Sequence, residues 1–285
     1  MTRANDLEYE LFNKAQFLKE TNKSSNHIYR FSAYDAPLLM QEVGRLRELA
    51  FNKVGGGTGK EFDIDEYDHH FDQLIIWSPK EKIIIGGYRI QKMRILPFEW
   101  SPLHHFFQFS EDFITNYAPQ AVELGRSFII PEYQDARKGP FALDNLFDAI
   151  GVWISKNPSL KYLIGKITLY PQDSTGNPKD LSVVYEAINQ YFDSKELLIK
   201  PRSVYKLEKD VSSSGLLCGE LKKDLNLLIR KYNAPPLLSV YAGLSPSMRT
   251  FGTVNHSEFG NTEETAMMIC LSDIYADVKK RYNLL

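Results

Sequence analysis

A chain of 285 residues suffices for one large α/β domain or two small ones, and 43% hydrophobic with 25% charged residues is ordinary globular composition. A formal net charge of −2 gives no global basic signature for nucleic acid, and no run approaches the roughly 18 apolar residues of a membrane span. The opening Met1-Thr2-Arg3-Ala4-Asn5-Asp6 lacks the apolar stretch of a signal peptide, and Cys218 and Cys270 fit no CxxC or Cys/His metal spacing; a cytoplasmic chain with reduced thiols is expected.

Residues 1–30 are polar and read as an N-terminal helical extension ending in the connector Asn22-Lys23-Ser24-Ser25-Asn26, which leaves 31–285 as a single domain with halves 31–170 and 171–285. Asp35 is a candidate N-cap for a helix through Phe51, in which Leu39, Val43, Leu46 and Ala50 recur at helical spacing. The glycine run Gly55-Gly56-Gly57-Thr58-Gly59 follows, then an acidic stretch from Glu61 to Asp72. Gln73–Trp77 and Lys82–Ile90 are apolar, β-branched runs joined by Ser78-Pro79-Lys80-Glu81, which predicts a hairpin. Phe98–Asn116 is aromatic and expected to be helical; Ala121–Ile130 is a strand stopped by Pro131. Residues 141–156 alternate at helical spacing, and Tyr162–Leu169 is a further strand. After the turn-rich Tyr170–Lys179 come helices near 180–192 and 215–232, short strands near 238–243 and 249–255, and a last apolar strand, Thr265–Leu271. This order implies an α/β (α+β) chain with a mixed sheet and helices on both faces.

Several segments invite chemistry. The glycine run lacks the Gly at 54 and the Ser or Thr at 61 that a phosphate-binding P-loop needs, since Val54 and Glu61 stand there. A mobile loop that admits substrate is the alternative. The acidic stretch carries Asp63, Asp65, Glu66, Asp68, His69, His70 and Asp72 without EF-hand spacing. It reads as a solvated loop, a His/Asp metal site or a binder of a cationic amine. The least ordinary segment is Glu123-Leu124-Gly125-Arg126-Ser127, because polar groups inside a strand are unfavourable unless paired. A regular strand puts Glu123 and Arg126 on opposite faces, so a shared site requires a bulge or twist at Gly125. A structural Glu–Arg pair at a sheet edge is the plainer reading. Phe98, Trp100, Phe106, Phe107 and Phe109 suit either an acyl pocket or an ordinary core.

Arg47-x-x-x-Phe51, Asp65-Glu66-Tyr67-Asp68, Gly87-Tyr88-Arg89 and Glu123-Leu124-Gly125-Arg126-Ser127 occur in that order. Over about residues 36–170 the chain resembles the acyl-carrier-protein-dependent branch of the GNAT superfamily. That branch holds the N-acyl amino acid synthases of ornithine-lipid and glycine-lipid biosynthesis (the hemolysin-like group) and, more distantly, the acyl-homoserine lactone synthases. A weaker echo continues in Phe251-Gly252-Thr253 and Phe259-Gly260-Asn261-Thr262-Glu263-Glu264-Thr265.

The resemblance implies a GNAT-like, mostly antiparallel sheet with helices on both faces. It implies that Arg47, Phe51, Asp65, Asp68 and Arg89 shape the substrate site and that Glu123, Arg126 and Ser127 are catalytic. Arg137, Lys138 and Gly139 fall where the family binds the pantetheine phosphate, before a helix N-terminus. No permanently bound cofactor and no metal is expected. The co-substrate is an acyl-phosphopantetheine thioester, on acyl carrier protein or coenzyme A. The lactone synthases carry a Trp between the helix Phe and the first Asp, and this chain has none there. No His-x-x-x-x-Asp is present, so a separate O-acyltransferase would complete a diacylated lipid.

The expected reaction is attack of a neutral amine on a long-chain 3-hydroxyacyl thioester, with Glu123 as base directly or through a water. The acceptor is glycine or ornithine, with glycine favoured. Peripheral contact with the inner membrane and docking of an acidic carrier on Arg137, Lys138, Lys195, Lys200 and Arg202 belong to the same expectation. The rival readings are a lactone-synthase-like enzyme, a non-catalytic module that holds a lipid or carrier, and a metal-dependent hydrolase.

Overall fold

A computed structural model describes residues 3–94, 97–203, 216–232 and 234–284. In chain order its elements are α1 (Arg3–Asn13), β1 (Gln16–Glu20), β2 (His27–Ser32), α2 (Pro37–Asn52), β3 (Asp72–Ser78), β4 (Ile83–Lys92), α3 (Pro102–Phe106), β5 (Phe107–Phe109) and β6 (Ala121–Ile129). There follow α4 (Gly139–Ser155), β7 (Tyr162–Leu169), α5 (Ser182–Tyr191), β8 (Ile199–Pro201), α6 (Leu221–Tyr232), α7 (Pro236–Leu244), β9 (Arg249–His256), β10 (Thr262–Cys270) and α8 (Ala276–Tyr282).

Eight strands form the central sheet in the order β1-β2-β3-β4-β6-β7-β10-β9, while β5 and β8 pair separately. Every neighbouring pair of the large sheet is antiparallel except β6 and β7. The period of two decides the layers. Leu74, Ile76, Tyr88, Ile90, Val122 and Leu124 face a core built with α4, α5, α6 and α7. Ile75, Trp77, Ile84 and Phe128 face a second core under α1 and α2. A third, aromatic core holds Phe107, Phe109 and Phe113 against Ala121, Ile164 and Met268. This is the mixed, mostly antiparallel, two-sided architecture expected.

Four local expectations are corrected. Residues 1–30 hold a helix, but β1 and β2 also lie there and extend the sheet beside β3. The cap of α2 is not Asp35: Ala36 occupies that position without a side-chain bond, and Glu10 of α1 accepts the first-turn N–H of Leu39 at 2.9 Å. A carboxylate brought by tertiary contact serves the positive helix end as well as a local one. Phe98–Asn116 is not one helix, because β5 interrupts it to pair with β8. The strand expected at 238–243 is α7, buried on one side through Leu238, Tyr241 and Ala242; a short apolar run does not distinguish strand from helix. The helix expected near 215–232 is α6, and position 215 lies outside the described residues.

Candidate active site

The site forms where the strand pattern breaks. Gly87 of β4 pairs with Phe128 of β6, yet Arg89 pairs with Gly125, so Arg126 and Ser127 stand opposite Tyr88 alone. This is a β-bulge, and Arg126 adopts the left-handed φ of 48°. The bulge expected near Gly125 is therefore present. A Cβ on Gly125 would sit 3.3 Å from Arg89 Nε, so the missing side chain leaves room for the guanidinium. On the other edge, β6 runs parallel to β7 from Ala121–Tyr162 to Leu124–Gly165, where the pairing stops.

Beyond that point the strands part around a cleft of about 720 Å³. Leu143 and Leu146 of α4, Leu237 and Tyr241 of α7, and Ala50 and Phe51 of α2 supply much of its apolar wall. Arg126, Ser127, Lys166, Thr168 and Glu264 supply polar wall at the break in the sheet. The Tyr88 hydroxyl faces Ser127 and Tyr241, and burial raises both phenols, which keeps them neutral donors at the cleft floor.

Beside the cleft, on the sheet face of Gln73 and Arg89, lies a charged network. Arg47, fully buried, donates to Asp68 at 2.8 Å and to Gln73 at 2.6 Å. Arg89 donates to Asp65 at 2.5 Å and stands 3.5 Å from Asp68. Arg126 pairs with Asp63 at 2.9 Å and with Asp65 at 3.4 Å. Burial opposes ionisation of Asp68, but Arg47 and Arg89 overcome it and hold the carboxyl well below its usual range. Burial likewise opposes the charge on Arg89, which Asp65 and Asp68 more than restore. Asp63, Asp65 and Asp68 each have an arginine partner, so these carboxylates of the acidic stretch are already occupied.

The structure thus joins Arg47, Asp65, Asp68, Arg89 and Arg126, and places Phe51, Ser127 and Gly139 on the cleft wall. Glu123 is set apart. It is 4% exposed, and its two oxygens accept from Ser101 Oγ at 2.6 Å and from the Leu103 N–H at 2.8 Å. Burial raises its carboxyl despite those donors. A cavity of about 10 Å³ adjoins it, lined by Phe71, Gln91, Trp100 and Ser101; that is room for about one water.

Arg137 and Lys138 lie at the α4 N-terminus, where their backbone N–H groups donate to Asp135 at 2.8 and 2.7 Å. Lys200 and Arg202 instead belong to β8 and the residues after it, which pack with β5 in the aromatic core, whereas α4 packs in the first core. The five basic residues therefore do not form one patch. The five aromatics proposed for an acyl pocket do not line the large cleft; Phe107 and Phe109 are core, and Phe98 and Trp100 border the small cavity by Glu123.

The glycine loop is not free either. Glu48, 5% exposed, accepts from Thr58 N at 2.9 Å, Gly59 N at 2.8 Å and Thr58 Oγ1 at 2.8 Å. Gly57 with φ 97° brings those donors round one carboxylate. His69 and His70 rest against the rings of Tyr34 and Trp100.

Sequence reasoning missed Lys166 and Glu264. Lys166 interrupts the apolar strand Tyr162–Leu169, a signal of the same kind as the one at Glu123. Glu264, 2% exposed, accepts from Thr168 at 3.0 Å and pairs with His256 Nδ1 at 3.2 Å. Burial would raise its carboxyl, but Lys166 and His256 bring it down to about 2.

The chain is similar to known proteins in sequence. Residues 46–140 match the family model of the acetyltransferase (GNAT) domain. The glycine N(alpha)-acyltransferase of Bacteroides thetaiotaomicron is 42% identical, over 93% of this chain and 83% of that protein. The glycine N(alpha)-acyltransferase of Phocaeicola vulgatus is 41% identical, over 93% and 86%. Among solved structures, the acyl-homoserine lactone synthase LasI matches with a TM-score of 0.44 at 15% identity, over 90% of this chain and 93% of that one. The CoA-dependent synthase BjaI gives 0.43 at 12% identity, over 90% of each chain. Both are too distant to bear on the reaction. On the strength of the two close relatives and the domain match, the chain belongs to the glycine N(alpha)-acyltransferase family of GNAT-domain acyltransferases.

Proposed function

We propose that this acyltransferase moves a long-chain acyl group, such as a 3-hydroxyacyl group, from the pantetheine thioester of acyl carrier protein to the α-amine of glycine. The observation that carries this reading is the cleft opened by the parting of β6 and β7, apolar toward α4 and α7 and polar at the bulge. An extended thioester arm and its acyl chain suit the first region, and the reacting carbonyl suits the second. Backbone N–H groups of a strand that has left its neighbour are free to hydrogen-bond the thioester oxygen as it gains charge.

Arg47, Asp68, Arg89, Asp65 and Arg126 hold the bulge rigid, and Ser127 lines the reacting end. The amine must be neutral to attack, and Glu123, its carboxyl raised by burial, takes the proton through a water, because both its oxygens already meet donors. Bond making to the carbonyl carbon then expels the thiolate of the carrier, and no covalent enzyme intermediate is needed. Proximity supplies much of the rate.

Glycine is favoured over ornithine by the two relatives named glycine N(alpha)-acyltransferase, and the carboxylates of the network beside the cleft, Asp63, Asp65 and Asp68, are engaged by arginines and do not await a second ammonium. Gly139 lines the cleft, and Arg137 and Lys138 precede it at the α4 N-terminus; these three are assigned to the pantetheine phosphate. A distinct O-acyltransferase acts afterwards in this scheme, and the product leaves toward a membrane from the water side; among the described residues no helix is long and apolar enough to cross one. The test is expression in a bacterial host followed by mass spectrometry of total lipids. N-acylglycine is expected. A different N-acyl amino acid refutes the acceptor, and no new acylated amine in several hosts refutes the reaction.

A further inference from the structure

The proposed reaction accounts for the amine of glycine and leaves its carboxylate without a partner. That acceptor brings a negative charge next to the reacting atoms, and burying it unpaired would be strongly unfavourable. The three arginines nearest the bulge are each bound to aspartate. Lys179, also on the cleft wall, donates to the Val54 carbonyl at the glycine loop.

Lys166 is different. It lies on β7 one residue past the last pair with β6, Leu124–Gly165, so it borders the point where the strands part. It lines the cleft together with Arg126 and Glu264. Its ammonium rests 4.3 Å from the centre of the Phe106 ring, and among the described residues no carboxylate stands within ion-pair distance. Burial lowers its pKa, and Arg126 adds to that while Glu264 and Glu123 oppose it. Glu264 offsets part of the cost of this cation without contacting it, and an anion in direct contact would offset more.

We infer that Lys166 is the specificity-determining residue for the acceptor: its ammonium pairs with the α-carboxylate of the incoming amino acid. The geometry suits an α-amine. One carbon separates the carboxylate from the nitrogen, so a carboxylate held beside the bulge sets the amine against the thioester carbonyl there. Glu264 is kept from taking this place itself by Thr168 and His256, which hold its two oxygens. The inference rests on the proposed acylation of an amino acid and adds the group that recognises its acid end.

The test compares glycine with glycinamide, using a long-chain 3-hydroxyacyl thioester of acyl carrier protein and rates expressed per neutral amine. The wild-type enzyme is expected to favour glycine in kcat/KM by about 30-fold, the weight of a hydrogen bond between charged groups at a half-buried site. Lys166→Met keeps the apolar stem and removes the charge. It is expected to lose that preference through a higher KM for glycine, so that kcat/KM for glycine falls to within about threefold of that for glycinamide in the same variant. A wild-type enzyme that acylates glycine and glycinamide equally overturns Lys166 and leaves the glycine reading standing, a result that needs no variant. A Met variant that keeps the preference does the same. A wild-type enzyme that instead acylates another carboxylate-bearing amine, with discrimination against its amide lost in Lys166→Met, refutes glycine and keeps Lys166.

Discussion

Asp68→Asn changes one atom type at the centre of the charged network. Asp68 and Arg47 are both fully buried, so solvent does not screen the pair, and Arg89 is 2% exposed. The amide still accepts from Arg47, but its charge is gone, and Asp68 is the only carboxylate paired with Arg47 among the described residues. Leaving a buried charge uncompensated costs about 3–5 kcal/mol, and retention of one hydrogen bond returns about 1 of that. A loss of about 2–4 kcal/mol is expected at pH 7. With a urea m-value of about 3 kcal/mol/M, the midpoint falls by roughly 1 M.

The effect has a pH signature. The folded carboxyl lies below its ordinary 3.8, so its stabilisation is fully present above that value and is lost as pH falls through the folded value. The difference between wild type and variant should therefore be constant from neutral pH to about pH 5 and shrink in stronger acid. Urea titrations at several pH values measure it. A variant within about 0.5 kcal/mol of wild type at pH 7, or a difference that does not shrink in acid, would refute the assignment of Arg47–Asp68 as a buried, ionised pair.

Other consequences are as direct. Glu123→Gln is expected to abolish N-acyl product; it also places an amide N–H against a donor, so a loss of about 1–3 kcal/mol in thermal or urea unfolding should accompany it. Full turnover in that variant sinks the proton-acceptor role. In the wild type, burial raises the Glu123 carboxyl above its ordinary 4.5, so an acid limb in kcat is expected above that pH and should vanish in any residual activity of the Gln variant. Glu48→Ala strips the acceptor from Thr58 and Gly59; hydrogen exchange at those two amides should rise at least tenfold, and unchanged protection would show that the glycines do not depend on Glu48. Leu143→Trp fills part of the apolar cleft. Its acyl products should shift to shorter chains by mass spectrometry, and an unchanged profile would place the acyl chain elsewhere.

Much of this protein follows from local order along the chain. The hairpin of β3 and β4, the strands β6, β7 and β10 and the helices α2 and α4 are legible because each repeats apolar residues at its own period, and the two periods differ. The oddity of Glu123–Ser127 is legible for the same reason, since polar groups in an apolar strand demand partners. The family likeness rests on residue identity in order, and the two relatives above 40% identity agree with it.

Tertiary structure decided what the partners are. The distance from Asp63 to Arg126 along the chain carries no information about their pairing; the bulge that turns Arg126 toward the acidic loop does. It also decided that Glu10 caps α2, that Glu48 fills the glycine nest, that Glu123 faces Ser101 and that Lys166 borders the cleft. The physical reason is common to all four. Hydrophobic periodicity is a local average that survives many substitutions, whereas a hydrogen bond or ion pair needs two particular atoms within about 3 Å. Only the folded chain brings residues so far apart in sequence to that distance.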